Sequence, residues 1–324
     1  MLIKSLLKKI YHFVFRYKFL KQKIETVEKE KQDLLFQFEY LKRHSEITKL
    51  KPATGLLRNY QIKELNFAKE IIQLLNSMDI FPFIDSGCLI GAVRHKGFVP
   101  WDDDIDLGLI RKDFDKIEKI AKEKYSWFEY DNTKKGTNLS IFLDNILNNN
   151  PNKLSFYKTP YCIHVYKGTA INDSVNVEFF PYDYVKDGVT EEEYNNYLNY
   201  VKKEVNLQKP WNEIYNFYNK ELDKGLYLTR KETSRIIAGF GNWDQTQYNF
   251  NGFLNYEDIF PLKTMKFENT EIPVPNNPIK KIENCYTKNW ITYPKDLGIS
   301  HDLESLQQYY IEHNIPYKDD DFIF

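Results

Sequence analysis

The stretch "GAVRHKGFVPWDDDIDLGLI", residues 91–110, sets four aspartates in five positions: Asp102, Asp103, Asp104 and Asp106. Like charges this close repel one another, so a fold that gathers them has to offset the repulsion. Three readings compete: a solvated acidic turn, a calcium loop and a catalytic metal site. From Asp104 to Ile110 polar and apolar residues alternate, which predicts a strand with Asp104 and Asp106 on one face, roughly 7 Å apart along the chain. Two carboxylates so placed, completed by phosphate oxygens and water, suit Mg²⁺. A third carboxylate is expected from a neighbouring strand. Glu178, in the apolar "NVEFFPYD" (176–183), is the first candidate, because an unpaired charge there would be costly. Asp183 is the second.

The calcium reading draws its ligands from Asp102, Asp104, Asp106 and Asp113, but the glycine such a loop needs falls on Leu107, and Pro100-Trp101 stand where a helix should end. The solvated-turn reading has an internal control in Asp319, Asp320 and Asp321, an acid triplet with no alternation and no strand context. The first cluster differs on both counts. Arg94, His95 and Lys96 beside it are natural partners for phosphate oxygens. Ser86-Gly87 offers backbone N–H donors where a strand turns into a helix.

Working outward, Ile62, Leu65, Ala68, Ile71, Ile72, Leu75 and Met78 predict the buried face of a helix. "DIFPFID" (79–85) reads as a short strand, 88–95 as a brief helix and 113–125 as another helix. "NLSIFLD" (138–144), "CIHVYKG" (162–168) and "SVNVEFFPYD" (174–183) read as strands. Residues 190–240 read as mostly helical and 264–275 as a hairpin. Together these predict an α/β (α+β) fold, a mixed sheet flanked by helices.

Ahead of this domain, residues 1–23 carry Lys4, Lys8, Lys9, Arg16, Lys18, Lys21 and Lys23 with no acid, and their apolar residues recur at helical spacing. A basic amphipathic helix of this kind suits an anionic membrane surface, or a docked or frayed end. Leu20, Ile24, Val27, Lys31, Leu34, Phe38 and Leu41 then repeat at alternating four- and three-residue steps, a short coiled-coil seam over 20–41 that would make a homodimer. The expected division is therefore 1–50 basic helix and coiled coil, 51–59 linker, and 60–324 catalytic domain.

Composition narrows the function classes. Lys and Arg number 45 against 46 Asp and Glu, a net charge of −1 that argues against nucleic acid as partner. Cys88, Cys162 and Cys285 form no CxxC pair and read as free thiols of a reducing compartment, with neither a zinc motif nor a disulfide framework. No apolar run approaches the ~18–20 residues of a membrane span, and no secretory signal is recognisable. The expected location is the cytoplasm, peripheral to the inner face of the membrane if the basic helix binds there.

"DSGCLIGAVRHKGFVPWDDDIDLGL" (85–109) closely resembles the signature of the LicD family, which includes bacterial phosphocholine transferases and fukutin-related proteins. "VEFFPYD" (177–183), "FPLKTMKFENTEIPVPNNP" (260–278) and "NWITYPKD" (289–296) resemble its later blocks, in order. The resemblance implies a nucleotidyltransferase-like fold and transfer of a phospho-substituent from CDP-choline, or another CDP-linked donor, to a hydroxyl of a glycan or lipid-linked glycan. CMP would leave, and Mg²⁺ or Mn²⁺ would serve as cofactor. Carried over by position, Asp104, Asp106 and Glu178 are the expected metal ligands. Gly87, Arg94, His95, Lys96 and Trp101 are the expected substrate and phosphate contacts, and Asp103 a proton acceptor. Glu178 stands where the family more often has aspartate, and Cys88 where threonine is usual. For a choline head group, Trp101, Tyr182, Trp243 and Trp290 are candidate aromatic faces. Two rivals accompany this reading: a CTP-using nucleotidyltransferase of the same fold, and a non-catalytic, membrane-associated coiled-coil adaptor.

Overall fold

A computed structural model describes residues 2–133, 139–169, 174–205, 209–239, 251–293 and 311. The chain divides into two units, residues 1–49 and 50–324. In the first, helix α1 runs unbroken over Leu2–His44, joining the basic stretch and the heptad series in one rod. Leu20, Ile24, Val27, Leu34 and Leu41 of the seam are all exposed along it.

The second unit begins with α2 (Gly55–Asn76), so the break at "KPATG" is shorter than the nine-residue linker expected. The buried face of α2 departs from the periodicity in an informative way. Ile62 is exposed, whereas Gln61 and Glu64 are fully buried among Leu57, Leu65, Ala68 and Ile72. Polar side chains occupy a core face because backbone groups elsewhere need them: Gln61 donates to the Asp102 carbonyl at 2.7 Å, and the Glu64 carboxylate accepts from Asn176 N–H at 3.0 Å. A buried polar group so bonded avoids most of its desolvation cost.

The order continues with β1 (Phe83–Ile84), α3 (Ser86–Arg94), β2 (Asp106–Ile110), α4 (Arg111–Lys124) and β3 (Ser126–Glu129). Next come α5 (Leu139–Asn149), β4 (Ser155–Lys158), β5 (Ile163–Lys167), β6 (Val175–Val185), α6 (Glu191–Glu204) and α7 (Trp211–Lys224). The described part closes with β7 (Leu228–Thr229), β8 (Arg235–Ala238), β9 (Leu254–Asn255), α8 (Tyr256–Ile259), β10 (Lys263–Phe267), β11 (Thr270–Val274) and α9 (Pro278–Tyr286).

Several expectations need correction. "NLSIFLD" opens helix α5, because Leu143, Ile146 and Leu147 bury at helical spacing and the short apolar run cannot by itself tell helix from strand. The span 190–240 holds strands β7 and β8 beside its two helices. Strand β2 starts at Asp106, which leaves Asp104 in the approach to it. Asp319–Asp321 lie outside the described residues.

The mixed sheet runs β1-β2-β6-β5-β4-β3, with β7 and β8 also pairing to β6 and β9 to β8. Eleven-residue β6 is its axis: parallel to β2, antiparallel to β5, and antiparallel at its far end to β8 and β7. Leu107, Leu109, Ile163, Val165, Val177 and Phe179 form one face of these strands and pack with residues of α2 and α4 in the main core. The other face at the start of β2 and β6 is left for the acids.

Candidate active site

The acidic run is held in place from three directions. Gln61 of α2 binds the Asp102 carbonyl, as above. The β10–β11 turn clamps the preceding segment through Glu268, whose carboxylate receives Arg58 at 2.5 and 2.9 Å and Phe98 N–H at 3.1 Å. On the far side, Asp85 N–H donates to the Asp106 carbonyl at 2.9 Å. Asp85 itself is buried, caps α3 through Ser86 N–H at 2.7 Å, and receives Lys281 Nζ at 2.5 Å and the Tyr182 hydroxyl.

Burial alternates along the run: Asp103 and Ile105 are buried, while Asp102, Asp104 and Asp106 are half-buried. Asp106 on β2 and Glu178 on β6 are register partners, so their side chains rise from the same face of adjacent strands. The carboxyls of Asp104 and Asp106 are pushed well above the usual carboxylate range, by burial first and then by neighbouring acids, Glu178 included. Burial pushes Asp102 up to about 7, against a hydrogen bond to Asp104 and the charge of Arg94.

Gly87 owes its identity to this crowding. A Cβ there would stand 2.4 Å from Asp102 Oδ2. The tight backbone belongs to the neighbouring Ser86, whose φ is 50°. Asp102 Oδ2 is buried without a hydrogen-bond partner. An orphaned carboxylate oxygen, beside two carboxyls that raise each other's affinity for protons, fits a cation-binding site. Among the described residues no lysine or arginine makes a salt bridge with Asp104 or Asp106. Oxygen donors of this number and charge suit Mg²⁺ or Mn²⁺.

Beside the acids lies a cleft of about 270 Å³ lined by Gly87, Arg94, Trp101, Asp102, Tyr286 and Trp290, among others. Arg94 donates to the Trp290 carbonyl at 2.6 Å and to His95 Nε2 at 2.9 Å, and its guanidinium lies 5.7 Å from the Trp101 ring centre. Burial lowers Arg94 to about 10, within the range where it stays charged at neutral pH, and lowers His95 to about 4. Of the three basic residues, Arg94 lines the cleft; Lys96 is exposed, in a left-handed turn with φ of 58°.

Other candidates are placed elsewhere. Asp183 is fully buried against Arg111 (Nε to Oδ1, 2.5 Å) and Tyr218 (2.7 Å), so the second-choice ligand is a structural ion pair away from the acids. Tyr182 is fully buried with its hydroxyl on Asp85, which removes it as a head-group contact. Trp101 and Trp290 line the cleft, and Trp243 lies outside the described residues. Sequence reasoning passed over Asp102, although alternation through 102, 104 and 106 was there to read. It also passed over His164, which contacts Glu178 at 3.1 Å and is that residue's register partner from β5.

A mixed sheet that presents carboxylates on adjacent strands beside a glycine-opened helix start defines a nucleotidyltransferase-type domain. Residues 79–204 match the family model described as LicD/FKTN/FKRP, nucleotidyltransferase domain. The chain is 37% identical over 73 residues to the lipopolysaccharide cholinephosphotransferase LicD of Haemophilus influenzae, covering 22% of this chain and 25% of that protein. It is 40% identical over 55 residues to the uncharacterized protein RP689 of Rickettsia prowazekii, covering 17% and 21%. It is 32% identical over 53 residues to the human ribitol 5-phosphate transferase FKRP, covering 16% and 11%. The matched stretches thus span a quarter or less of these relatives' own length.

Proposed function

We propose that the protein is a metal-dependent phosphotransferase that moves phosphocholine, or a similar phospho-alditol, from a CDP-linked donor to a hydroxyl of a cell-surface glycan precursor. The observation that carries this reading is the row of acids, Asp106 in register with Glu178 and Asp104 beside them, next to Asp102, which lines the Arg94–Trp101–Trp290 cleft. Two relatives named for cholinephosphate and ribitol 5-phosphate transfer support the substrate class.

Asp104, Asp106 and Glu178 would hold Mg²⁺ or Mn²⁺, which supplies charge neutralisation of the diphosphate and of the leaving oxygen. Arg94, fixed by Trp290 and His95, orients the donor phosphate and meets the charge that grows on it. The acceptor oxygen attacks the phosphorus next to the head group; the bond from that phosphorus to the oxygen of CMP breaks. The hydroxyl proton passes to a carboxylate of the acidic run. Asp102, which lines the cleft, is better placed for this than buried Asp103. Trp101 and Trp290 give a quaternary ammonium two aromatic faces.

Two further parts of the reading concern α1. No helix among the described residues is long and apolar enough to cross a membrane. The basic stretch of residues 1–23 is suited to hold the enzyme on an anionic inner surface where lipid-linked acceptors lie, and the exposed seam over 20–41 to pair two copies.

Thermal midpoints measured with CDP-choline, CDP-ribitol, CDP-glycerol, CTP and CMP, each with Mg²⁺, Mn²⁺ or chelator, test the reading. A metal-dependent rise selective for one CDP-linked donor, absent in Asp104→Asn/Asp106→Asn, is expected. A rise with CTP alone would instead mark a CTP-using nucleotidyltransferase. No rise with any ligand would overturn both in favour of an adaptor.

A further inference from the structure

Cys162 and His164 stand two residues apart where β5 begins, so the alternation of the strand sends both to one side of the sheet. His164 pairs in register with Glu178, and Glu178 with Asp106. Three neighbouring strands therefore carry His164, Glu178 and Asp106 in one row. Cys162 Sγ lies 3.1 Å from His164 Nε2 and 3.9 Å from Glu178 Oε2, and His164 Nδ1 lies 3.1 Å from Glu178 Oε1. One donor atom from each of the three falls within 4.8 Å of the others.

We propose that Cys162, His164 and Glu178 form a second cation site, selective for a thiophilic divalent ion of the zinc type and joined to the carboxylate site through Glu178. The donor set is the ground for selectivity. A thiolate and an imidazole favour zinc, whereas magnesium demands oxygen. Ligands about 2.0–2.3 Å from a tetrahedral zinc stand roughly 3.3–3.8 Å apart. Because His164 meets Cys162 and Glu178 through different ring nitrogens, closure on one ion gives up one of those contacts and draws together three donor atoms that lie within 4.8 Å of one another.

The surroundings are those of a supported ligand set. Thr159 Oγ1 lies 3.2 Å from the Cys162 sulfur, and the rings of Tyr157 and Tyr166 stack with that of His164 at 5.5 and 6.0 Å. Such neighbours fix ligand orientation. Cys162 is buried, but His164 and Glu178 keep 13% and 25% of their side-chain surface open, which leaves a path of entry and room for a fourth ligand. On binding, the thiol gives its proton to solvent and the sulfur–metal bond forms; no oxidation is involved. The sequence spacing hid this site because its ligands come from two strands rather than from a CxxC loop.

The consequence for regulation rests on the proposed role of Glu178. Zinc at the thiol site draws Glu178 away from Asp104 and Asp106, so zinc opposes magnesium without touching either aspartate.

Titration of the untagged, reduced full chain with Co²⁺, followed by Zn²⁺, tests the site directly. A single equivalent of Co²⁺ is expected to give a thiolate-to-cobalt charge-transfer band in the near ultraviolet, which Zn²⁺ abolishes. The band should be absent in Cys162→Ser and retained in Cys285→Ser and in Asp104→Asn/Asp106→Asn. No band in the wild type, or a band that survives in Cys162→Ser, would overturn the proposal. Should Cys162→Ser not fold, zinc-edge X-ray absorption of the wild type decides: one sulfur with nitrogen or oxygen neighbours supports the site, and a shell without sulfur sinks it. Sharing of Glu178 has its own readout. Zinc should lower Mg²⁺ affinity of the wild type at least tenfold and leave Cys162→Ser unaffected. An intact thiolate band without that loss refutes the sharing and the role of Glu178 at the carboxylate site, while the thiol site itself stands.

Discussion

Asp106 and Glu178 are register partners across the parallel β2–β6 pair, two acids raised from neighbouring strands onto one face with Asp104 just ahead of them. Such an arrangement costs folding energy in the absence of a cation, and on the proposed reading it binds one.

Charge removal at this site should therefore stabilise and inactivate together. In chelator, Asp106→Asn is expected to raise the thermal midpoint, at about 2–4 °C per kcal/mol for a domain of this size. Metal-dependent transfer should fall about 10²–10³-fold or more. A lowered midpoint with retained activity would contradict the assignment.

Acidity should act on the metal-free protein in the same sense. Asp102 has a folded value of about 7 against an ordinary 3.8, so between these limits the folded state binds the additional proton. Stability in chelator should thus rise as pH falls from 8 toward 5, and saturating Mg²⁺ should flatten the slope. Urea midpoints across that range provide the check.

His95 works in the opposite direction. Its folded value of about 4 lies below the ordinary 6.5, because burial and Arg94 disfavour its charged form. The unfolded chain takes the proton first, so this residue removes stability as pH falls from about 6.5 to about 4. Protonation also ends its role as acceptor for Arg94 Nε. Relative to His95→Gln, the wild type should lose stability over that window, measured by denaturation, and donor affinity only as pH falls through about 4, measured by calorimetric titration.

Gly87→Ala separates crowding from folding. Alanine favours a helix by about 1 kcal/mol over glycine, yet its Cβ would collide with Asp102 Oδ2. Displacement of Asp102 should weaken metal-dependent donor binding at least tenfold, with the thermal midpoint in chelator changed little. Equal loss of folding and binding would argue that the glycine serves the backbone instead.

Asp183→Ala should do the reverse of the site variants. It strands Arg111 without its buried partner and is expected to cost about 3–5 kcal/mol, read as a shift in urea midpoint. Metal affinity of the folded fraction should be unchanged, since Asp183 lies with Arg111 and Tyr218 rather than with the acids.

The acid pair and the arginine beside it stand out in the sequence because each is marked within a few residues, whereas Gly87 answers to Asp102 on a later segment and the tight turn falls on Ser86. Alternation places Asp104 and Asp106 on one side of an extended chain whatever surrounds them, and it selected Glu178 as a charge in an apolar strand. The reading failed where partners come from afar. Asp183 looks as available as Glu178 in sequence, and only the approach of Arg111 and Tyr218 removes it. Gln61 and Glu64 interrupt an apolar face for the sake of carbonyl and amide groups about 40 and 112 residues away. Residues 138–144 are apolar enough for either a strand or a helix, and packing made them a helix.

What the sequence determined by itself, then, is the local chemistry: a strand approach rich in carboxylates, an arginine beside it, and an amphipathic basic helix ahead of them, all fixed by periodicity and charge over short spans. Tertiary structure decided which distant groups meet. Register across β2, β6 and β5 aligned Asp106, Glu178 and His164, and Cys162 joined them from the same face, because strand pairing is set by the whole hydrophobic core rather than by any one segment.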